Sequence, residues 1–240
     1  MMKFIRKLFY GNVSFPLAKA NNAVKLQIKN LESVWNSKTY NDFGIERIFR
    51  LFLVLIQFAF LGLYVRDITG RRSVLCRKIG NEVYVIVKIL IYLTILFCGI
   101  SRHWLSYICL YLITETICYL LGLIFLNTEY SKPISYKRNL LLTMINYIEI
   151  TFGFACIYYC SFLNSIQNIT SALDSVCYSF TAATTVGYGS MFPVTNLAKT
   201  TYVFQSVISL FFVIFIFSVF VSSINEKGYI NKSKNNSKND

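Results

Sequence analysis

Residues Ser179 to Thr195 read SFTAATTVGYGSMFPVT. Small and hydroxylated residues, then two glycines around a tyrosine, stand between strongly apolar segments. Of the 240 residues, 55% are hydrophobic and 15% are charged, whereas soluble domains average about a quarter charged. With a mean hydropathy of +0.51, the composition points to the bilayer. The quoted stretch therefore has to be accommodated at membrane depth. Bare amides and carbonyls there cost several kcal/mol each unless protein buries them or water lines them.

Working outward, five apolar runs approach the roughly 20 residues needed to cross about 30 Å of hydrocarbon. They are Ile48 to Val65, Glu82 to Ile100, Trp104 to Leu126, Leu140 to Phe162 and Thr200 to Ile224. Leu163 to Lys199 is too broken to span. Within it, Ser171-Ala-Leu-Asp174 has the S-x-x-D form of a helix start, in which the serine oxygen caps an amide and the aspartate sits at the positive helix end. The spacing predicts a short helix from about Ala172 to Ala183, about 18 Å long at 1.5 Å per residue, which reaches partway into a bilayer. One further span follows, so the chain has to return to the side it entered from. Thr184 to Gly189 then lines a cavity. Gly187 and Gly189 are free to adopt positive φ, letting alternate residues turn their carbonyls to one side. With the Thr185 hydroxyl added, the surface is made of oxygen ligands, suited to a weakly hydrated monovalent cation.

TTVGYG closely resembles the selectivity filter of potassium channels. The similarity extends to ALDSVCYSFTAA before it, to Pro193 and Thr195 after it, and to the flanking spans, covering about Leu140 to Ile224. It implies an all-α integral membrane protein: a tetrameric potassium-channel pore module of outer helix, re-entrant pore helix and filter, and inner helix, preceded by about three auxiliary hydrophobic helices. By the same resemblance, the carbonyls of Thr185, Val186, Gly187 and Tyr188 and the Thr185 hydroxyl bind K+, with Gly189 completing the filter. Thr184, Tyr178 and Ser190 support it. One such loop per chain, in a ring that takes four, implies a homotetramer. The partners are the lipid bilayer and K+ ions, with no cofactor beyond the permeant ion, and the location is the cell membrane, crossed several times.

The sequence departs from the family pattern at the outer mouth. Ser190 stands where an aspartate usually follows the filter, and Cys177 and Tyr178 stand where many members carry tryptophans. A hydrogen bond from Tyr178 to Ser190 is the expected weaker substitute, with altered inactivation or somewhat looser selectivity as its consequence. Ser209 falls at the position where many relatives carry a hinge glycine. Phe211, Phe212, Phe215 and Phe217 below it either form a constriction that gates by dewetting or pack against lipid and neighbouring subunits.

The 24 Lys+Arg against 11 Asp+Glu give a net charge of +13. Their placement argues against nucleic-acid binding: Arg66, Arg71, Arg72, Arg77 and Lys78 follow the first span, Lys132, Lys137 and Arg138 precede the fourth, and Lys227, Lys232, Lys234 and Lys238 follow the last. Under the positive-inside rule, Leu163 to Lys199, whose only basic residue is Lys199, is the outside segment. The domains read as 1–47, a basic N-terminal segment; 48–126, auxiliary spans; 127–139, a basic cytoplasmic linker; 140–224, the pore domain; and 225–240, a disordered tail. In the first of these, Ala23, Val24, Ile28, Leu31, Val34 and Trp35 recur at helical spacing. They belong either to a helix on the membrane surface or to one docked on the protein itself. Five crossings would leave a basic N-terminus outside, so either Ile48 to Val65 lies in the interface or re-enters, or the charge rule is overridden.

Voltage sensing needs several arginines at three-residue spacing in a span. Only Arg47 and Arg50 show that spacing, at a helix end, so a leak-like pore is the economical reading. Lys88, Glu115 and Glu149 fall inside spans, where burial demands pairing, and Lys88 is expected to meet Glu115 or Glu149. Two other functions stay open, a weakly selective monovalent-cation channel and a non-conducting accessory subunit. An enzyme is disfavoured because the only histidine, His103, has no nucleophile or carboxylate pair beside it. The seven cysteines are scattered singly, as small buried hydrophobes. Asn168-Ile-Thr170 leaves glycosylation open.

Overall fold

A computed structural model describes residues 22–36, 44–126, 136–187 and 189–225. Among them the secondary structure is helical apart from one isolated β-bridge, Ile166 to Pro193. The helices are α1 (Ala23–Trp35), α2 (Ile45–Ile56), α3 (Leu61–Gly70), α4 (Val74–Phe97), α5 (His103–Phe125), α6 (Tyr136–Ser161), α7 (Ala172–Ala183) and α8 (Asn196–Asn225). The chain divides into two compact units, Met1–Tyr84 with Cys118–Glu129, and Val85–Ile117 with Tyr130–Asp240. The expected tail 225–240 and linker 127–139 lie largely outside the described residues.

In the first unit, α1 begins where the Asn22 carboxamide oxygen accepts from the amides of Val24 and Lys25 at 3.0 and 3.1 Å. It docks on α2 and α3 through Ala23, Gln27, Asn30 and Val34, a face more polar than the apolar stripe suggests. The Ala23 amide donates to Asp67 at 2.8 Å, and Gln27 Nε2 donates to the Gln57 side-chain oxygen at 2.9 Å. Trp35, counted in that stripe, is exposed. Further along, the Arg66 guanidinium lies over the Tyr119 ring, and Phe49 meets Phe125 edge-on.

The expected span Ile48 to Val65 is not one straight helix. A 3-10 turn, Gln57–Ala59, ends α2, Phe60 adopts an extended backbone, and α3 departs at 72°. Buried polar groups hold this break: Gln57 and Asp67 face inward and are held by α1, which a straight lipid-facing helix would not permit. Among the described residues, four helices are long and apolar enough to cross a membrane, Cys76–Phe97, His103–Phe125, Arg138–Ser161 and Asn196–Ser218, or up to five if the bent pair counts as one.

In the second unit, α6 and α8 pack on each other and both pack on α7. The C-terminal half of α6 is its most buried part, with Phe154, Ala155, Cys156 and Tyr158 inaccessible. Gly153 permits the approach of α5 to α6, since a Cβ there would lie 2.8 Å from the Ile113 side chain.

Candidate functional site

The site is assembled from α7 and the loop behind it. Helix α7 starts with the expected capping box: Ser171 Oγ accepts from the Asp174 amide at 3.1 Å, and Asp174 Oδ2 accepts from the Ser171 amide at 2.9 Å. Asp174 also accepts from the Thr170 amide and hydroxyl, each at 3.0 Å. The Thr170 amide, with the Ser171 hydroxyl next, holds this carboxyl below the usual carboxylate range. The cap's electrostatic contribution is thus complete above an ordinary aspartate pKa and is lost only as pH falls through the depressed one.

At its other end α7 unwinds into the loop through amide bonds that all point backwards. The Thr184 amide donates to Phe180 at 3.0 Å, Thr185 to Ala182 at 3.2 Å, and Val186 and Gly187 both to the Thr181 carbonyl at 3.1 and 3.2 Å. Among the described residues, no peptide bond is cis. In a planar trans peptide the carbonyl points opposite to the N–H it is bonded to. The carbonyls of Thr184, Thr185 and Val186 therefore point away from α7, toward the exposed side of the loop. Alternating handedness produces this. Thr185 has φ 59° and Gly187 φ 70°, while Val186 between them is not left-handed. A β-branched residue at positive φ is an outlier, and such strain concentrates at functional sites. Of the two glycines expected to take positive φ, Gly187 does, and Thr185 does so as well. Thr184, Thr185, Val186, Gly187, Gly189 and Ser190 are exposed, Val186 to 77%. Tyr188 lies outside the described residues.

Behind the loop, a buried polar chain crosses three helices. Tyr158 of α6 donates its hydroxyl to Gln205 Oε1 of α8 at 2.7 Å, and Gln205 Nε2 donates to both the carbonyl and the hydroxyl oxygen of Ser179 at 2.9 Å. Ser179 Oγ completes the chain by donating to the Thr151 carbonyl at 2.7 Å. Closer to the loop, Tyr147 donates to the Ala183 carbonyl at 2.9 Å while its ring lies 5.9 Å from that of Phe212. The sequence reading missed Gln205, although a glutamine in an apolar run was the available signal. Gln205→Leu removes the acceptor of the buried Tyr158 hydroxyl, and the expected loss is about 1–3 kcal/mol, read as a lower thermal midpoint of the solubilised protein.

The expected bond from Tyr178 to Ser190 is absent. Tyr178 turns inward against Tyr158 and Tyr202, at ring distances of 4.9 and 5.5 Å, and its hydroxyl is buried without a hydrogen-bond partner among the described residues. The Ser190 carbonyl instead accepts from Asn168 Nδ2 at 2.7 Å. Asn168, at φ 60°, sits in a segment tied to the chain after the loop by the Gln167 amide to Phe192 at 3.0 Å and the Val194 amide to Ser165 at 2.9 Å. Ser209 is buried in an unbroken α8; Phe212 is buried, whereas Phe211 and Phe217 are exposed.

The three ionisable residues expected inside spans come together. Lys88 Nζ lies 3.6 Å from Glu149 Oε1 and 3.9 Å from Glu115 Oε2, so Lys88 meets both carboxylates rather than one. Lys88 also donates to Thr116 Oγ1 at 2.6 Å, and Thr116 in turn donates to Glu149 Oε2 at 2.8 Å. Tyr92 donates to Glu149 Oε1 at 3.2 Å.

Residues 145–226 match a family model described as "Ion channel". The matched stretch holds most of α6, all of α7, the loop and the described length of α8. No curated protein and no solved structure matches the chain. The match supports a channel and suggests a non-enzyme; with four apolar helices of spanning length, it suggests a multi-pass membrane protein.

Proposed function

We propose that this chain forms a potassium channel, a homotetramer of the cell membrane that conducts K+ passively and without voltage gating. The carbonyls of Thr185, Val186, Gly187 and Tyr188 and the Thr185 hydroxyl replace the ion's hydration shell. Gly189 completes the filter, and no cofactor takes part. The pore domain runs over 140–224, with 48–126 auxiliary to it. One observation carries the reading. Behind TTVGYG, the amides of Thr185, Val186 and Gly187 turn back onto α7, which frees the Thr185 and Val186 carbonyls as one row of oxygen ligands. Single rows of this kind ring an ion only when several chains contribute, which is the argument for four copies. The C-terminal end of α7 adds its partial negative charge beneath them.

A weakly selective monovalent-cation channel is the second reading, and the outer mouth favours it: Ser190 is held by one exposed bond from Asn168, with Tyr178 turned elsewhere. The reversal potential of the purified protein in a planar bilayer, potassium on one side and sodium on the other, separates the two. A reversal near the potassium equilibrium potential is expected; one near zero supports the weakly selective channel, and absence of current from assembled protein supports an accessory subunit.

A further inference from the structure

Helix α1 runs beside the whole of the bent pair, α2 and α3. Its first residue meets α3, where the Ala23 amide donates to Asp67 Oδ1 at 2.8 Å. One turn on, Gln27 Nε2 donates to the Val54 carbonyl at 3.3 Å and to Gln57 Oε1 at 2.9 Å, beside the 3-10 turn. At its end the Trp35 carbonyl accepts from Arg47, in the first turn of α2, at 2.7 Å. Were the pair to cross a bilayer, α1 would have to cross with it. Lys25 and Lys29 stand two residues to either side of Gln27 and are exposed, so both ammoniums would lie near the middle of the hydrocarbon, where each is strongly disfavoured. A seat on the membrane surface leaves them in water.

The exposed apolar residues point to what the pair rests on. Ile45, Ile48, Phe52 and Leu55 form one stripe at helical spacing on α2, and Tyr64 and Ile68 form another on α3. Basic residues stand at the outer end of each arm, Arg47 on α2 and Arg71 with Arg72 after α3. Exposed Lys25, Lys29, Arg71 and Arg72 outnumber exposed Glu32 and Glu46 on these elements. Apolar stripes with basic ends are complementary to acyl chains beneath anionic headgroups. The dimensions agree. At 1.5 Å per residue the arms are about 18 and 15 Å long, so with the 72° bend an apex pushed into lipid sits only about 10 Å below the two ends. That depth is the headgroup and acyl boundary, not the core. Trp35 is exposed at a groove of about 370 Å³ lined also by Leu31, Leu51 and Leu55, with Glu32 on its wall, and supplies the amphipathic ring favoured at the interface. We propose that α1, α2 and α3 form an anchor that lies on the membrane without crossing it, seated on anionic phospholipid, so that α1 and the basic segment from Arg71 share one side. By the positive-inside rule that side is the cytosol.

Two measurements on the full chain judge the anchor, and neither requires conduction. In sealed vesicles of one orientation, cysteines introduced by Lys25→Cys and by Arg72→Cys are expected to react with a membrane-impermeant maleimide from the same face. Peptide mapping reads the introduced site, because Cys98 and Cys177 are also exposed. Reaction from opposite faces means that the pair crosses, and overturns the proposal. The second measurement is quenching of Trp35, isolated by Trp104→Phe, in vesicles carrying brominated phosphatidylglycerol or brominated phosphatidylcholine. The anionic lipid is expected to quench more, and Arg72→Gln to lower its relative binding constant about fivefold, with Arg72→Lys restoring it. Equal quenching by the two lipids overturns the anionic seat. Quenching by neither, with the stripes covered by protein such as a second copy of the chain, overturns lipid as the occupant.

Discussion

Gly187→Ala is expected to abolish potassium-selective conduction while leaving the assembled protein intact. Among the described residues, no atom beyond the chain neighbours lies within 4 Å of where the new Cβ would stand. What it meets is its own backbone. At φ 70° an L-residue with a Cβ costs about 1–2 kcal/mol. In the proposed ring of four, that cost recurs in each subunit, about 4–8 kcal/mol in all. The loop relieves it by leaving the left-handed region, which rotates the Val186–Gly187 peptide, breaks the bond of the Gly187 amide to Thr181 and swings the Val186 carbonyl off the row. About 1.4 kcal/mol of lost preference is already a tenfold change, so the reversal potential under potassium–sodium gradients should move to near zero or the current should vanish. Cross-linking should still report the unaltered oligomer, because Gly187 contributes no packing. Unaltered potassium selectivity in Gly187→Ala would sink the carbonyl-row reading.

The legible parts of this fold are those where one physical demand dominates. Helix α7 begins and ends where the S-x-x-D cap and the threonine-rich exit place it, because capping is a local hydrogen-bond problem that a few residues solve. The long helices follow from hydropathy, since nothing else buries so much apolar surface. Lys88 could be paired in advance with Glu115 or Glu149, though not with both, because an isolated charge in hydrocarbon has to find a partner. Hydropathy fails at Ile48 to Val65 for the converse reason. It averages over Gln57 and Asp67, whose need for partners on α1 outweighs helix continuity and leaves Phe60 extended. Tyr178 was misplaced because pairing it with Ser190 considered only the chain near the filter. On the helix, Tyr178 shares a buried face with Ser175, Ser179 and Ala182, and that face is aimed at α6 and α8.

Lys88→Met carries the largest expected stability effect. Removing one member of a buried ion pair strands the other, and such losses run to about 3–5 kcal/mol. Here the damage is compounded by relay: Thr116 Oγ1 accepts from Lys88 and donates to Glu149, so without the ammonium the threonine loses the group that orients it. At about 2–4 °C per kcal/mol for a chain of this size, the thermal midpoint of the solubilised protein should fall on the order of 10 °C. Two companions separate charge from shape. Lys88→Met with Glu149→Gln removes both the cation and the anion it best serves, and should recover most of the loss, since glutamine keeps an acceptor for Tyr92 and Thr116. Glu115→Gln alone should cost less than Lys88→Met, because Lys88 keeps Glu149, the nearer of its two carboxylates, as a partner. The ordering matters more than any single value. A chain in which Glu115→Gln is as damaging as Lys88→Met leans on Glu115 as much as on Glu149, and the lead given to Glu149 by its shorter contact and its Thr116 and Tyr92 hydrogen bonds would then be wrong.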